Sequence, residues 1–372
     1  MVELMTPELV AELHSTEAGG PLYRAALTEL GRKGWLGIGW PEKYGGQGRS
    51  PMEQFIFADE VQRAGFPLPF LTINTVGPAL ARFGTDAQRD EFLPRILRGE
   101  IHFSIGYTEP SAGTDLAALE TRAERDGDHY VINGQKVFTS LADHADYIWL
   151  AARTDPDAPK HKGISIFIVD VNLPGVQITP TRTMGENQVA TTFYADVRVP
   201  AGCLVGNENG GWNLITTQLN HERVSLVSVG ISERLLEETT RWAADTVLPD
   251  GSRWLDRPWV RRNLASVEAH IEVMRLMNWK QAWQMGRGAL DPAQASALKV
   301  FGSEFYVEGY RLLMEVLGQS GCLRSGSPGA ALAGRVERMY RSILVLTFGG
   351  GTNEVQRDII STVGLGLPRA GA

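Results

Sequence analysis

The chain has 372 residues, of which 43% are hydrophobic and 21% charged, and its formal net charge is −7 at pH 7. This length exceeds the size at which a single core stops growing, so two or three globular domains are expected. The acidic balance gives no reason to expect nucleic acid as a partner. Two distant cysteines, Cys203 and Cys322, lack metal-ligand spacing, which excludes a disulfide scaffold and favours a cytoplasmic protein without a metal site. The longest uncharged stretch, residues 64–81, is broken by prolines, so no membrane insertion is expected.

The first predicted domain, residues 1–103, is helical. Helical periodicity marks Tyr23–Leu30, Met52–Val61 and Asp86–Leu97, with Asp86 in the position of an N-cap. A phosphate-binding loop needs a strand before it and a helix after it in a βαβ unit, and the glycine-rich run Tyr44–Gly48 lacks that context. We therefore interpret that run as a structural turn.

The second predicted domain, residues 104–205, shows a period of two in short runs separated by turns such as Asn133-Gly134. No helical pattern alternates with these runs, which favours an antiparallel β-barrel or sandwich over a Rossmann domain. The third domain, residues 206–372, is predicted to be a four-helix bundle. Its helical segments are 211–245, 257–288, 292–318 and 328–362. The fold class is thus α+β, with helical domains on either side of a β domain.

One carboxylate in the bundle stands out by its position. Asn209 is a possible cap for the helix, and Ile215, Leu219, Leu226 and Val229 then recur at helical spacing and mark a buried stripe. Glu222 falls on this stripe, three residues after Leu219 and four before Leu226. A carboxylate on an apolar face has to be paired, protonated or functional. The residues alone leave two interpretations open, a catalytic base and an ion-paired glutamate at the edge of the stripe.

Three strings in the chain resemble the acyl-CoA dehydrogenase family. They are the loop Gly106–Asp115, the run Ile132–Ser140 and the C-terminal run Gly349–Arg357. The loop interleaves glycines with hydroxyl residues, so N–H and O–H groups can closely approach a planar, acceptor-rich ligand. The order of the domains is also similar to that of the family.

The resemblance implies FAD-dependent α,β-dehydrogenation of an acyl-CoA, with a carboxylate taking the pro-R α-proton while the β-hydrogen leaves as hydride to flavin N5. Fixed donors must polarise the thioester carbonyl as enolate charge develops. By the same resemblance, residues in the loop, in the second run and near the C-terminus contact FAD, the last group in a dimer mate or in the same subunit. These residues are Tyr107, Thr108, Gly113, Thr114, Phe138, Thr139, Ser140, Thr352 and Glu354. Glu109, inside the loop, is interpreted as a structural hydrogen-bond partner.

The departures from the family pattern concern the base and the substrate. Much of the family carries its base two residues before the threonine of the C-terminal motif, where this chain has Gly350, and a minority places it at the position of Glu222. The resemblance therefore makes Glu222 the base and leaves the backbone N–H of Gly350 to polarise the carbonyl. Arg223 matches an arginine at the substrate mouth, although an ordinary ion pair is an equal alternative. Gly349 and Gly350 widen the acyl entrance, which predicts a bulky or sterol-type acyl group.

The expected partners follow from the same resemblance. They are an electron-transfer flavoprotein as acceptor and either identical subunits or a related subunit in an α2β2 heterotetramer, the arrangement of the sterol side-chain enzymes. The family motif that brings an arginine to a neighbouring FAD is not found, and Arg257, Arg261 and Arg262 are candidates for that role. Alternatives within the fold are an acyl-CoA oxidase, a flavin monooxygenase and a non-catalytic subunit of a heteromeric dehydrogenase.

Overall fold

The structure, a computed structural model, describes residues 3–16, 18–225 and 227–368, and the side chains of Ser15 and of residues 220–225 lie outside the described part. The chain has the predicted layout of a helical part, a β-sheet and a second helical part. Among the described helices, none combines the length and the apolar composition needed to span a membrane.

The N-terminal part contains α1 (Pro7–Thr16), α2 (Pro21–Arg32), α3 (Pro51–Arg63), α4 (Gly77–Phe83) and α5 (Asp86–Leu97). The three predicted helices are confirmed as α2, α3 and α5, whereas α1 and α4 were not predicted. Pro78 lies in the first turn of α4, which directly continues a π-helical turn at Leu71–Val76, so the widened turn accommodates the missing N–H and the proline does not break the helix. The predicted cap is wrong by one residue, because the Thr85 hydroxyl accepts from Gln88 N and caps α5.

The glycine-rich turn before α3 is structural, as predicted. Its N–H groups point back into the chain: Gln47 N donates to Gly37 O at 2.9 Å and Gly48 N to Trp40 O at 2.8 Å. A Cβ at Gly46 would lie 2.2 Å from Trp40 O, so only glycine fits there. These N–H groups are not available to a phosphate.

The middle part is a mixed sheet with the strand order β6-β7-β3-β2-β4-β5-β8, and β1 pairs with β4. The described strands are β1 (Phe103–Gly106), β2 (Arg122–Asp126), β3 (His129–Ser140), β4 (Tyr147–Arg153), β5 (Ile164–Asp170), β6 (Val176–Thr181), β7 (Val189–Pro200) and β8 (Leu204–Val205). The antiparallel prediction holds for the other pairs, but β1 and β2 run parallel to β4. A parallel pair needs a crossover connection, and here the loop after β1 and the β2–β3 hairpin take the place of a crossover helix.

The C-terminal part contains α6 (Gly211–Ser225), α7 (Gly230–Asp245), α8 (Pro258–Gly286), α9 (Pro292–Leu317), α10 (Arg335–Ile343) and α11 (Asn353–Ile359). The single predicted helix 211–245 is two helices. Asp59 of α3 ends this continuity, because its Oδ1 accepts from Val229 N at 3.1 Å and Gly230 N at 3.0 Å and so caps α7 from another domain.

Two further details of the bundle differ from the prediction. Asn209 does not cap α6: it has a φ of 65°, and its Oδ1 accepts from the Thr154 hydroxyl at 2.6 Å. The predicted segment 328–362 is divided into α10 and α11 by a turn in which Gly350 and Gly351 have φ values of 69° and 93°. Left-handed backbone cannot continue a helix, so the glycines set the break.

Candidate functional site

Three of the predicted site segments meet where the sheet packs against α6. The Tyr107 hydroxyl, in the loop after β1, donates to Gln218 Oε1 of α6 at 2.6 Å. The indole N–H of Trp149 donates to the same oxygen at 3.0 Å. Thr108 O accepts from Val137 N at 2.8 Å, which joins the loop to β3. These contacts bring together Tyr107, Thr108 and the run in β3 beside the helix that carries Glu222.

A buried ion pair holds the loop from inside. Glu109 Oε1 accepts from Lys136 Nζ at 2.7 Å and Thr121 N at 2.8 Å, and Oε2 accepts from Glu120 N at 2.6 Å. Lys136 Nζ also donates to Tyr107 O at 3.1 Å. Burial opposes ionisation of Glu109, but the Lys136 charge and the N–H donors outweigh it, so the pKa of Glu109 lies below its ordinary value. Burial lowers the pKa of Lys136 to about 8 despite the carboxylate. The structural role predicted for Glu109 is confirmed.

The outer side of the loop is open. Gly113 and Thr114 are exposed, and the nearest described atom to a Cβ at Gly113 would be Thr108 Cγ2, at 3.9 Å. Hydrogen bonds of 3.1 Å in both directions between the backbones of Glu109 and Ala112 close the turn and leave its rim free. The rim therefore offers small and hydroxyl-bearing residues to a ligand.

A bulge in β3 presents an aromatic ring next to this rim. The register with β7 shifts between Lys136 and Thr139, and Phe138 adopts a φ of 56° with its side chain 67% exposed. A bulky residue in the left-handed region is strained, and such strain concentrates at functional sites. Thr139 is fully buried, and its hydroxyl has no hydrogen-bond partner among the described residues. Ser140 continues the strand, and its carbonyl accepts from the Ser104 hydroxyl at 2.8 Å.

These features fit a flavin. An isoalloxazine ring needs an apolar face to stack on and donors for its ring nitrogens and oxygens. The exposed Phe138 ring supplies the face, and the open rim at Gly113 and Thr114 supplies the space and an exposed hydroxyl. The Thr139 hydroxyl is fully buried and is not presented to a ligand at this surface.

The proposed base lies on the helix that these contacts hold. Glu222 and Arg223 are in the last turns of α6, but their side chains lie outside the described residues. Ile215 is fully buried and Leu219 packs against the same core, so the described part of the predicted stripe does face inward.

The sequence analysis missed Gln218, one helical turn before Glu222 and 3% exposed. Because an indole N–H can only donate, Oε1 must be the Gln218 atom that faces Trp149, and Nε2 points elsewhere. This Nε2 is buried and has no partner among the described residues. The sequence did carry a signal for Gln218, because this polar residue lies four positions before Glu222 on the same apolar stripe.

The C-terminal glycines form a turn anchored on α9. Lys299 is 1% exposed, and its Nζ donates to Gly351 O and Asn353 Oδ1, both at 2.7 Å. The N–H groups of Gly350 and Gly351 form no hydrogen bond with the part of the chain that the structure describes. A free N–H at Gly350 is compatible with the predicted carbonyl-polarising role. Lys299 was also missed, although it lies on a run of buried α9 residues.

Thr352 and Glu354 lie just beyond this turn. The Thr352 hydroxyl accepts from Val355 N at 3.2 Å and caps α11, and Glu354 is exposed in its first turn. None of the described hydrogen bonds joins either residue to the loop after β1.

The arginine candidates for a neighbouring FAD differ in their surroundings. Arg261 is engaged within its own chain, because it donates to Asp256 Oδ1 at 3.0 Å and to Leu255 O at 2.9 Å. Arg257 precedes α8 and Arg262 is exposed on its first turns. Arg262 therefore remains the more accessible candidate of the two on α8.

A cavity of about 390 Å³ lies between α3, α4, α8 and the junction of α6 with α7. Its walls are largely apolar and include Trp40, Phe55 and Phe70, with Val227 and Ser228 at the junction. Ligand pockets commonly have this size and lining. The cavity was not predicted, because residues far apart in the chain form it.

The comparisons with known proteins cover nearly the whole chain. It matches the family descriptions "Acyl-CoA dehydrogenase, N-terminal domain" over residues 2–100, "middle domain" over 104–196 and "C-terminal domain" over 209–365. It is 55% identical to acyl-CoA dehydrogenase FadE26 of Mycobacterium tuberculosis, over 99% of this chain and 94% of that protein.

Solved structures agree with this likeness. The ChsE4-ChsE5 complex from Mycobacterium tuberculosis contains a chain 56% identical to this one, with a TM-score of 0.93, and the match covers 99% of this chain and 94% of that chain. The Tcur3481-Tcur3483 steroid ACAD matches at 49% identity and a TM-score of 0.90, over 99% of this chain and 100% of that chain. This chain therefore belongs to the acyl-CoA dehydrogenase family, oxidoreductases that act on the CH–CH bond of acyl-CoA.

Proposed function

We propose that this chain is a base-bearing subunit that carries out FAD-dependent α,β-dehydrogenation of a bulky, sterol-type acyl-CoA. The observation that carries the proposal is the hydrogen bond of 2.6 Å between Tyr107 and Gln218. It joins the proposed flavin loop to α6 one turn before Glu222. A cofactor site and a candidate base are thereby held in one rigid unit.

The residues that would hold FAD are those around the loop and the bulge, namely Tyr107, Thr108, Gly113, Thr114, Phe138, Thr139 and Ser140. The flavin, when bound, supplies an acceptor for the hydride that leaves the β-carbon. Thr352 and Glu354 contribute to a FAD site from the other side, in a dimer mate or in the same subunit. The Glu109–Lys136 pair keeps the loop in shape without contacting the ligand itself.

Glu222 takes the α-proton of the thioester onto its carboxylate. A base in an apolar site is poorly solvated and therefore more basic than in water, as abstraction of a weakly acidic C–H proton requires. The N–H of Gly350 donates to the thioester carbonyl as negative charge develops on its oxygen. Gly349 and Gly350 leave room for the acyl group, and Arg223 lies at the substrate mouth.

The bulky acyl group is supported by the cavity and by the similar proteins. The apolar cavity of about 390 Å³ begins at Val227, five residues after Glu222. One of the similar solved structures is described as a steroid ACAD, at 49% identity. A polycyclic acyl group would extend from the base along the end of α6 into this cavity.

We further propose that the chain assembles with a related subunit as an α2β2 heterotetramer and passes electrons to an electron-transfer flavoprotein in the cytoplasm. The described structure of the ChsE4-ChsE5 complex supports the first part, because its similar chain is found together with a second one. A homo-oligomer is the alternative assembly.

Anaerobic flavin bleaching tests the function. The holoprotein is mixed with butanoyl-CoA, octanoyl-CoA and cholan-24-oyl-CoA, and wild type is compared with Glu222→Gln. We expect the variant to retain FAD and to lose about 100-fold to 10,000-fold in bleaching rate, the usual contribution of a general base. Glu60→Gln removes the same charge from an exposed position on α3 and should bleach at the wild-type rate.

Three results would contradict the proposal. Bleaching of Glu222→Gln at the wild-type rate would show that Glu222 is not the base. Faster turnover of the linear thioesters would show that the preferred acyl group is not bulky. Rapid consumption of O2 by the substrate-reduced protein would favour an oxidase or monooxygenase.

A further inference from the structure

The turn that presents Gly350 has little structure of its own. Three consecutive glycines, Gly349 to Gly351, follow a short helical turn that ends at Thr347, and two of them have positive φ values. Glycine has more backbone freedom than any other residue, so such a turn does not hold one N–H direction by itself. A donor that stabilises a developing oxyanion must be fixed in advance. Something outside the turn has to hold it.

A single buried amine contacts both sides of this turn. Lys299 Nζ donates to Gly351 O at 2.7 Å, to Asn353 Oδ1 at 2.7 Å and to Thr347 O at 3.5 Å. The hydroxyl of Ser303 donates to the same Asn353 oxygen at 3.1 Å. The amine therefore joins the residues before and after the glycines to one point on α9.

The same face of α9 also contacts the end of the base-bearing helix. A Cβ at Gly302 would lie 2.6 Å from Val227 Cγ1, so α9 packs tightly against the junction of α6 and α7. Lys299 and Gly302 are three residues apart and share a helix face. One helix, α9, thus sets the spacing between the glycine turn and the helix of Glu222.

We propose that Lys299 is a positioning residue of the reaction, which holds the glycine turn so that the Gly350 N–H meets the thioester oxygen. The inference rests on the proposed function, in which Gly350 polarises the carbonyl. Without the amine, Gly351 O and Asn353 Oδ1 lose a buried donor, and the turn is free to rotate its N–H groups away. Substrate still binds through its CoA and acyl parts, but the carbonyl is polarised less.

The reductive half-reaction of the holoenzyme tests this role. We expect Lys299→Met to reduce the limiting rate of flavin bleaching by cholan-24-oyl-CoA by about 10-fold to 100-fold, as for loss of an oxyanion donor. The Kd of the thioester should change by less than about threefold, because the contacts that bind substrate equally in the ground state and the transition state are unchanged. Lys299→Gln, which keeps an N–H donor on a shorter side chain, should recover part of the rate and is the second variant if Lys299→Met does not fold.

An infrared measurement reports on the carbonyl directly. In a Glu222→Gln background, which does not consume the ligand, the 13C-labelled carbonyl of bound cholan-24-oyl-CoA should absorb at lower frequency than in water. This shift should shrink when Lys299→Met is added. Ser303→Ala removes a neighbouring hydrogen bond to Asn353 and leaves the amine in place, so it should lower the melting temperature without changing the carbonyl shift.

The outcomes separate the inference from the function on which it rests. An unchanged carbonyl shift and bleaching rate in Lys299→Met would overturn the role of Lys299 alone. If Ser303→Ala lost as much of the carbonyl frequency shift as Lys299→Met, the effect of Lys299 would be one of general stability, and its positioning role would also be overturned. If the protein that retains Lys299 showed no carbonyl frequency shift, Gly350 would have no polarising role and the inference would fail with it. The assignment of Glu222 would stand.

Discussion

Replacing Glu109 by glutamine should destabilise the chain, because it leaves the ammonium of Lys136 without its counter-charge. Lys136 is fully buried, and its ammonium donates to the Glu109 carboxylate and to Tyr107 O. An isolated buried ammonium loses its proton at a cost limited by its ordinary pKa of 10.5, which at pH 7 is about 4.8 kcal/mol. The pKa of about 8 means that about 3 kcal/mol of this cost is already present in the intact pair.

The rest of the deprotonation cost of Lys136, together with the lost hydrogen bond, sets the loss of stability in Glu109→Gln. About 1–2 kcal/mol is left for neutralising the amine, and losing a charge-assisted hydrogen bond costs about 1.5–3 kcal/mol. Glu109→Gln should therefore lower the free energy of unfolding by about 3–4 kcal/mol. Lys136→Met should cost less, because Thr121 N and Glu120 N still bind the carboxylate and the buried ammonium is gone.

Thermal unfolding of the FAD-loaded protein measures these differences. For domains of 150–250 residues, 1 kcal/mol corresponds to a shift of about 2–4 °C, so Glu109→Gln should melt several degrees below Lys136→Met. The double variant should be less destabilised than the sum of the two single variants, because each removes the same interaction. Additive effects, or a larger loss in Lys136→Met, would refute the reasoning from the buried pair.

Two further predictions concern pH and the buried amide. The folded-state pKa of Glu109 is lowered, so its contribution to stability is complete above the ordinary value of 4.5 and is lost as pH falls through the lowered value. The difference in melting temperature between wild type and Glu109→Gln should therefore shrink as the pH is lowered below 4.5, and a difference that stays constant there would contradict the assignment. Gln218→Met removes both the unpartnered donor one turn before Glu222 and the acceptor of Tyr107, and should slow flavin bleaching by about 10-fold with FAD retained. Trp149→Phe keeps that donor and serves as the control, and bleaching of Gln218→Met at the wild-type rate would show that the donor has no part in the reaction.

The sequence alone determined the elements whose signals are local. Helices α2, α3 and α5 follow from apolar periodicity within a dozen residues, and the strands follow from alternation between turn residues. The strings around Tyr107, Phe138 and Gly350 carried the family resemblance because their chemistry is written in consecutive positions. Glu222 could be singled out because helical spacing predicts its position on an apolar stripe.

Only the tertiary structure decided how these pieces are joined. Asp59 caps the start of α7 through Val229 N, 170 positions away, and no local pattern records that contact. Phe138 is extruded because β3 changes register against β7, and β1 and β2 lie parallel to β4 because of how the strands are ordered in the sheet. Gln218 and Lys299 acquire their roles from Trp149 and Asn353, which lie 69 and 54 residues away. Periodicity, caps and turns depend on neighbours within one or two helical turns, whereas the partners of a buried polar group depend on which distant segments the fold brings beside it.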